Sequence, residues 1–336
     1  MKRRRVKRTI LVVVGLVLGI GVGGFYWLRR ETAPVSAGPP FYIRFESRMR
    51  LGAVLRELQT RGAIRNAGAV RIYAWITRRS AVVGAGTYQI RPGLTADQLL
   101  KTLGSPIRQL VRLSETRWAS QNGALLEQRL VTPAKDYIAL VRQPAAFKRL
   151  VSFPIEGDSL EGYLFPDTYD LPPLLGAKET ILRQLRAFEE KVWKPLGKPK
   201  NLRHRLIVAS IVQLEVARED ERPLVAGVIE NRLARKIPLQ IDATVLYAEN
   251  RWGALATKEL HSVDSPYNTY EHTGLPPGPI CSPGLKSIQA ALHPARHDYI
   301  FYVALPDGRH IFARTADEHA RNVALRRAAV AQEAFR

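Results

Sequence analysis

The chain has 336 residues, 46% hydrophobic and 24% charged, a balance that excludes a largely disordered protein. Lys and Arg outnumber Asp and Glu by 51 to 30, and the net charge of +21 points to anionic partners such as lipid headgroups, nucleic acid or acidic polymers. One cysteine, Cys281, excludes an internal disulfide framework and any Cys-rich zinc or iron–sulfur site.

Residues 1–9 form a basic tip carrying Lys2, Arg3, Arg4, Arg5, Lys7 and Arg8. Residues 10–28 then run without a charge. As a helix that run is about 28 Å long, close to the hydrocarbon thickness of a bilayer. Tyr26 and Trp27 close it, where amphipathic rings favour the interface. A cleaved signal peptide has a shorter apolar core and ends in a small-x-small site; this run instead meets Tyr-Trp-Leu-Arg-Arg. The expectation is an uncleaved, single-pass anchor in the cell (inner) membrane. The positive-inside rule keeps the tip cytoplasmic and sends the rest of the chain to the outer side.

Residues 29–40, ending ETAPVSAGPP, read as a linker. Phe41 to Phe45 reads as a strand, and Leu51 to Arg61 as a helix with Leu51, Val54, Leu55 and Leu58 at helical spacing. Val70 to Thr77 fits a helix or a strand equally. Gly84 to Pro92 reads as a turn and a strand. Thr95 begins a helix to Leu103, with Gln98 placed to complete a capping box. Residues 41–106 thus make a small α+β module, and residues 107–336 a larger mixed α+β region.

In that larger region Val111 to Leu113 reads as a strand, with helical segments following to about Leu150. Glu156 to Tyr169 (EGDSLEGYLFPDTY) reads as an ordered loop. Thr180 to Trp193 has the pattern of an amphipathic helix. Leu206 to Arg218 (LIVASIVQLEVAR) is almost wholly apolar and reads as a buried helix in which Glu215 is the only acid before Arg218. Two readings of Glu215 stand. Burial, with like-charge pressure from Glu219 opposed by Arg218, would hold it protonated near neutral pH, as a general acid requires. Equally, a core acid can simply cap or pair with an arginine. Asp220 is the expected N-cap of the next helix, with Pro223 in its first turn. Tyr299 to Ala304 and His310 to Arg314 flank a turn and read as a β-hairpin, and the last 20 residues read as a helix.

Several motifs then occur together and in order. They are Ala209-Ser-Ile-Val-Gln-Leu-Glu, Asn231-Arg-Leu, Leu239-Gln-Ile-Asp-Ala-Thr-Val, Tyr267-Asn-Thr-Tyr, Gly274-Leu-Pro-Pro-Gly-Pro-Ile, Pro283-Gly and Leu292-His-Pro-Ala. Upstream, Ala85-Gly-Thr-Tyr and Glu161-Gly-Tyr-Leu-Phe-Pro-Asp-Thr-Tyr extend the pattern. On these residues the chain resembles the YceG-like endolytic murein transglycosylases, from the anchor to the C-terminal helix. The resemblance implies a LysM-like glycan-binding module over 41–106 and a YceG-like catalytic domain over 107–336. It implies Glu215 as the single catalytic acid/base, cleaving the β-1,4 bond between N-acetylmuramic acid and N-acetylglucosamine with a 1,6-anhydro product. Gln240, Asp242, Asn268 and Tyr270 are the candidates for holding the sugar; each can equally be a structural hydrogen-bonding residue. The chain departs from the family pattern at Gln213, where an acid is usual, at Ile241, where Thr is usual, and at Ala243, where Pro is usual.

The implied partners are nascent peptidoglycan strands, the membrane and proteins of cell-wall synthesis. No metal or cofactor is implied: the seven histidines are scattered, and no His-Glu-x-x-His helix, Walker loop or Gly-x-Ser-x-Gly elbow is present. The competing readings are a muramidase-type hydrolase, with Asp242 or Glu219 assisting Glu215, and an inactive anchored glycan-binding protein. Nucleic acid is not an expected partner, since no recognition motif is present and the topology places the domain outside the cytoplasm.

Overall fold

The computed structural model describes residues 2–36, 38–253 and 256–334. The outermost residue of the predicted basic tip, the tip's side chains, and residues 335–336 of the predicted C-terminal helix lie outside this description. Helix α1 (Lys2–Glu31) is continuous. Its Leu11–Glu31 segment is long and apolar enough to cross a membrane. Every residue from Leu11 to Trp27 is exposed, and burial begins only at Leu28.

The fold is mixed α+β, in two units: residues up to Gln109 together with Pro172–Leu175, and Leu110–Leu171 together with everything from Gly176 onward. In the first unit β1 (Phe41–Phe45), β2 (Met49–Arg50), α2 (Leu51–Thr60), α3 (Ala67–Ile76), β3 (Val82–Val83), β4 (Gly86–Ile90) and α4 (Ala96–Leu103) follow α1. β1 pairs antiparallel with β4, Phe41 opposite Ile90 and Phe45 opposite Gly86; β2 pairs with β3. The expected stripe on α2 (Leu51, Val54, Leu55, Leu58) is buried, beside Ile43, Val70, Tyr88, Leu99 and Leu103. The predicted capping box forms: Gln98 N donates to Thr95 Oγ1 at 3.2 Å, and Thr95 N to Gln98 Oε1 at 2.9 Å. Val70 to Thr77, which fitted either class, lies mostly in helix α3, whose start is fixed by Ala69 N donating to Asn66 Oδ1 at 3.0 Å.

The second unit contains β5 (Leu110–Leu113), α5 (Ala119–Gln128), α6 (Ala134–Val141), β6 (Asp167–Asp170), α7 (Ala177–Phe188), α8 (Leu202–Glu215), α9 (Arg222–Ala234), α10 (Asp242–Ala248), α11 (Thr257–Ser262), α12 (Leu285–Leu292), β7 (Phe301–Ala304), β8 (His310–Ala313) and α13 (Ala316–Ala334). Four boundaries differ from the sequence reading. The end of the expected Glu156–Tyr169 loop is strand β6, paired with β5 so that Leu113 faces Asp167; its partner lies too far back in sequence for local pattern to reveal. The helix expected over 180–193 begins at Ala177 and finishes in a π-turn over Glu189–Trp193. α8 stops at Glu215 rather than reaching Arg218, because Val216 is extended. Asp220 caps nothing: Arg218 holds its carboxylate at 3.0 Å, and a 3₁₀ turn over Glu219–Glu221 precedes α9.

α8 is the core of this unit, with α9, α10 and α12 packed on it. Leu206 through Gln213 are all buried. Ser210 pins the loop before α12, its hydroxyl accepting Ile280 N at 3.0 Å. α9 is held close to the segment after α12 at Gly227. A Cβ built there overlaps the Ala295 carbonyl oxygen and stands 2.6 Å from His297 Nε2. Gly227→Ala is therefore expected to lower stability by about 1–3 kcal/mol through overpacking, despite the better helix propensity of alanine. A thermal melt of the detergent-solubilised full chain checks this; an unchanged midpoint would show that α9 shifts freely.

Candidate active site

Glu215 is the last residue of α8 and opens into a cavity of about 490 Å³. Gln240, Asp242 and Tyr270 line the same cavity, as do Arg232, Phe301, Tyr302, His310 and His319. The Tyr302 hydroxyl donates to Glu215 Oε2 at 3.0 Å. Burial raises the Glu215 carboxyl to about 7, the Tyr302 hydrogen bond opposes that rise, and the Asp242 charge adds to it. The residue keeps partial contact with the cavity, so it can exchange protons with a ligand there. The like charge acting on Glu215 is Asp242, not the expected Glu219, which is exposed; Arg218 is turned to Asp220 and Glu221.

Asp242 begins α10, and its carboxylate accepts the Tyr270 hydroxyl. Gln240 precedes it in a left-handed conformation (φ 53°), a backbone kink fixed by its own N–H donating to Thr269 O at 3.0 Å. Asn268, expected at the sugar, is fully buried and outside the cavity lining. Its amide donates to Leu260 O and Val263 O, both at 2.9 Å, and its Oδ1 accepts Tyr270 N at 3.0 Å. It holds the backbone that carries Tyr270. Ile241 and Ala243 are buried too and outside the cavity lining. Gln213 Oε1 accepts Gly284 N at 3.1 Å and Ser287 Oγ at 2.8 Å, so this position supplies an acceptor to the core.

Sequence reasoning did not assign Tyr302 or Arg232 to the site. Arg232 is a strut: its guanidinium donates to Ile300 O at 2.7 Å and Leu239 O at 2.6 Å and lies over the Phe301 ring. It thereby ties β7 to the segment carrying Gln240 and Asp242. His310 is oriented by Glu221, Nδ1 to Oε2 at 2.7 Å, and its ring meets Tyr302 edge-on. His319 stacks on Phe301, and burial, then the Arg232 charge, lower its pKa. The one available signal was the hairpin itself, whose strands bring Tyr302 and His310 to the cavity.

A second carboxyl, Glu161, is also raised by burial to about 7. Its two oxygens are committed: Oε2 accepts Ala119 N at 2.7 Å and Oε1 accepts Ser282 Oγ at 3.2 Å. It is 2% exposed, whereas Glu215 opens to the cavity, and this separates a structural acid from a candidate catalytic one.

The YceG-like family model matches residues 43–325. An endolytic murein transglycosylase of Bacillus subtilis (strain 168) is 30% identical over 296 residues, covering 82% of this chain and 82% of that protein. An endolytic murein transglycosylase of Streptococcus pneumoniae serotype 2 (strain D39 / NCTC 7466) is 30% identical over 331 residues, 94% of this chain; the chain spans 55% of that longer protein. A crystal structure of a putative yceG-like protein from Listeria monocytogenes superposes with a TM-score of 0.55 at 26% identity, covering 85% of this chain and 99% of that one.

Tyr302→Phe removes the hydrogen bond that, among the described residues, favours the ionised form of Glu215, so the carboxyl should titrate above its value of about 7. Carboxyl ¹³C NMR of the variant, with Glu215→Gln to assign the signal, checks the direction. A downward or absent shift would mean that Tyr302 does not act on this carboxyl.

Proposed function

The chain belongs to the YceG-like family, and from that premise we propose that it is an endolytic murein transglycosylase, a lyase held at the cell membrane by α1. Its substrate is the glycan strand of nascent peptidoglycan, and cutting within that strand ends its elongation. The observation that carries the reading is Glu215, an acid raised to about 7 that lines the cavity with Gln240, Asp242 and Tyr270.

Glu215 protonates the glycosidic oxygen as the C1–O bond of the muramic residue breaks. The resulting carboxylate takes the proton from the muramic C6 hydroxyl, whose oxygen bonds to C1. The proton returns to Glu215, a 1,6-anhydro end forms, and no water is consumed. One acid/base therefore serves both steps, where glycoside hydrolases ordinarily use two carboxylates. Tyr302 steadies the carboxylate between the steps. Gln240, Asp242 and Tyr270 offer amide, carboxylate and hydroxyl groups to the sugar from one wall. Asn268 acts through Tyr270, as a positioning residue.

The membrane reading is supported by Leu11–Glu31, apolar and exposed on every face up to Trp27. The basic tip is cytoplasmic and the remainder extracytoplasmic. Residues 41–106 are a LysM-like module that holds glycan, and 107–336 the catalytic domain. α1 runs to Glu31, three residues into the expected linker, and the chain from there to Phe41 reaches at most about 35 Å, which keeps the enzyme on strands near the membrane, beside the proteins that synthesise them.

The test is mass spectrometry of glycan strands digested by the full chain in detergent. Wild type is expected to give internal 1,6-anhydro ends, and Glu215→Gln to lose activity by at least about 10²-fold. Reducing ends instead would favour a hydrolase using Asp242, which shares the cavity. No products from either, with glycan still bound, would leave a binding protein. The pH profile has a definite sign: the free enzyme must hold its proton, so kcat/KM should be level below, and fall above, a pH of about 7. A rate that rises through that pH would remove Glu215 as the acid.

A further inference from the structure

Helix α3 has apolar residues on both sides. Ala67, Val70 and Ala74 are buried in the first unit's core. On the other side Ile72 is 42% exposed, Trp75 80% and Ile76 56%. These three lie at i, i+3 and i+4 and form one stripe. Val82, just beyond, is exposed as well. Arg71 and Arg78 flank the stripe, exposed and without an ion pair among the described residues, while Arg79 is paired with Asp97. Two isoleucines beside an indole, with guanidinium groups next to the ring, make a poor solvent face.

Its place in the fold says what covers it. α1 is exposed from Leu11 to Trp27 and becomes half-buried at Leu28 and from Glu31 to Ala33. Within the same unit, α1 packs against α3. The module therefore meets α1 where the apolar segment ends, at the level where Tyr26 and Trp27 mark an interface.

We propose that the Ile72–Trp75–Ile76 face of α3 docks on the membrane, in the headgroup layer of anionic lipid on the side where α1 emerges. The inference rests on the reading of α1 as a membrane span. Trp75 sits at the acyl–headgroup boundary with Ile72 and Ile76 directed into it, and Arg71 and Arg78 meet lipid phosphates. A sugar is met by hydrogen-bonding groups around a ring; Ile72 and Ile76, the rest of the stripe, offer none, and acyl chains suit them. Docking supplies the first unit with a second attachment besides the helix itself, and so fixes the module's orientation on the bilayer.

Cys281 is the lone cysteine and is buried, so one introduced thiol can be labelled selectively. The full chain carrying Trp75→Cys, Ile76→Cys or Val14→Cys is labelled with an environment-sensitive fluorophore and placed in phosphatidylglycerol–phosphatidylethanolamine vesicles. Lipids brominated near the headgroup should quench most of the emission at positions 75 and 76, and lipids brominated deep in the chain most of that at position 14. Quenching at 14 with unchanged emission at both 75 and 76 would overturn the docking and leave the span standing. No quenching at any position would overturn the span and the docking together. A response at 75 and 76 to added glycan strands, with none to brominated lipid, would make the face a glycan platform and overturn the proposal.

Discussion

The burial of one helix governs the rest of this site. α8 is enclosed along Leu206–Gln213, so its rotation and depth are set by packing on several sides at once. Its end is set with equal firmness, because Val216 leaves the helical region immediately after Glu215. A helix turns about 200° over two residues, so Gln213 and Glu215 point to opposite sides. Gln213 turns inward to Gly284 and Ser287, and Glu215 turns out to the cavity. The two acceptors of the Val-Gln-Leu-Glu run are thus divided by geometry between fold and chemistry. An amide suffices at Gln213 because its oxygen only accepts there. No proton has to move.

The remaining walls are held by side chains whose hydrogen bonds go to the protein's own backbone and rings. Asn231 donates to His297 O and Tyr299 O, and Arg232 donates to Ile300 O and Leu239 O. Neighbouring side chains at the end of α9 therefore fix the start of the hairpin and the approach to α10. Glu221 takes His310 by both its backbone N–H and its ring, which anchors β8. Charged and amide side chains occupy these struts because the segments they secure are loops and strand ends, whose carbonyls need donors when buried. Tyr302 consequently reaches Glu215 on β7, which is held at its start by Arg232 and at its end by pairing with the anchored β8.

How much of this was legible follows from range. β1, the stripe of α2, the Thr95–Gln98 box and the hairpin rest on residues a few positions apart, and the sequence pattern located them. β6 depends on β5, and the Glu215–Tyr302 and Glu221–His310 contacts join residues 87 and 89 apart, so no local period carries them. The motif residues Glu215, Gln240, Asp242 and Tyr270 come together in one cavity, yet the same pattern could not separate them from Asn268. Within Tyr267-Asn-Thr-Tyr, the Asn side chain turns to backbone carbonyls and the last Tyr to Asp242. Which of two adjacent polar side chains faces the core is a tertiary outcome. Asp220 failed as a cap for a similar reason: a competing arginine two residues away took its carboxylate.

The ambiguity over Val70 to Thr77 has a different origin. A helix with one buried face shows a clear 3.6-residue period, and a strand with one buried face shows alternation. α3 shows neither because apolar residues occupy both its core side and its outer side. Its stability comes from Val70, Ala74 and the Asn66 cap, and these would be served equally well by polar residues at 72, 75 and 76. The fold therefore does not require the outer stripe, and keeping it exposed to water carries a solvation penalty. Docking on lipid, as proposed, would remove that penalty. The residues that blurred the helical period are the ones that the proposed docking uses.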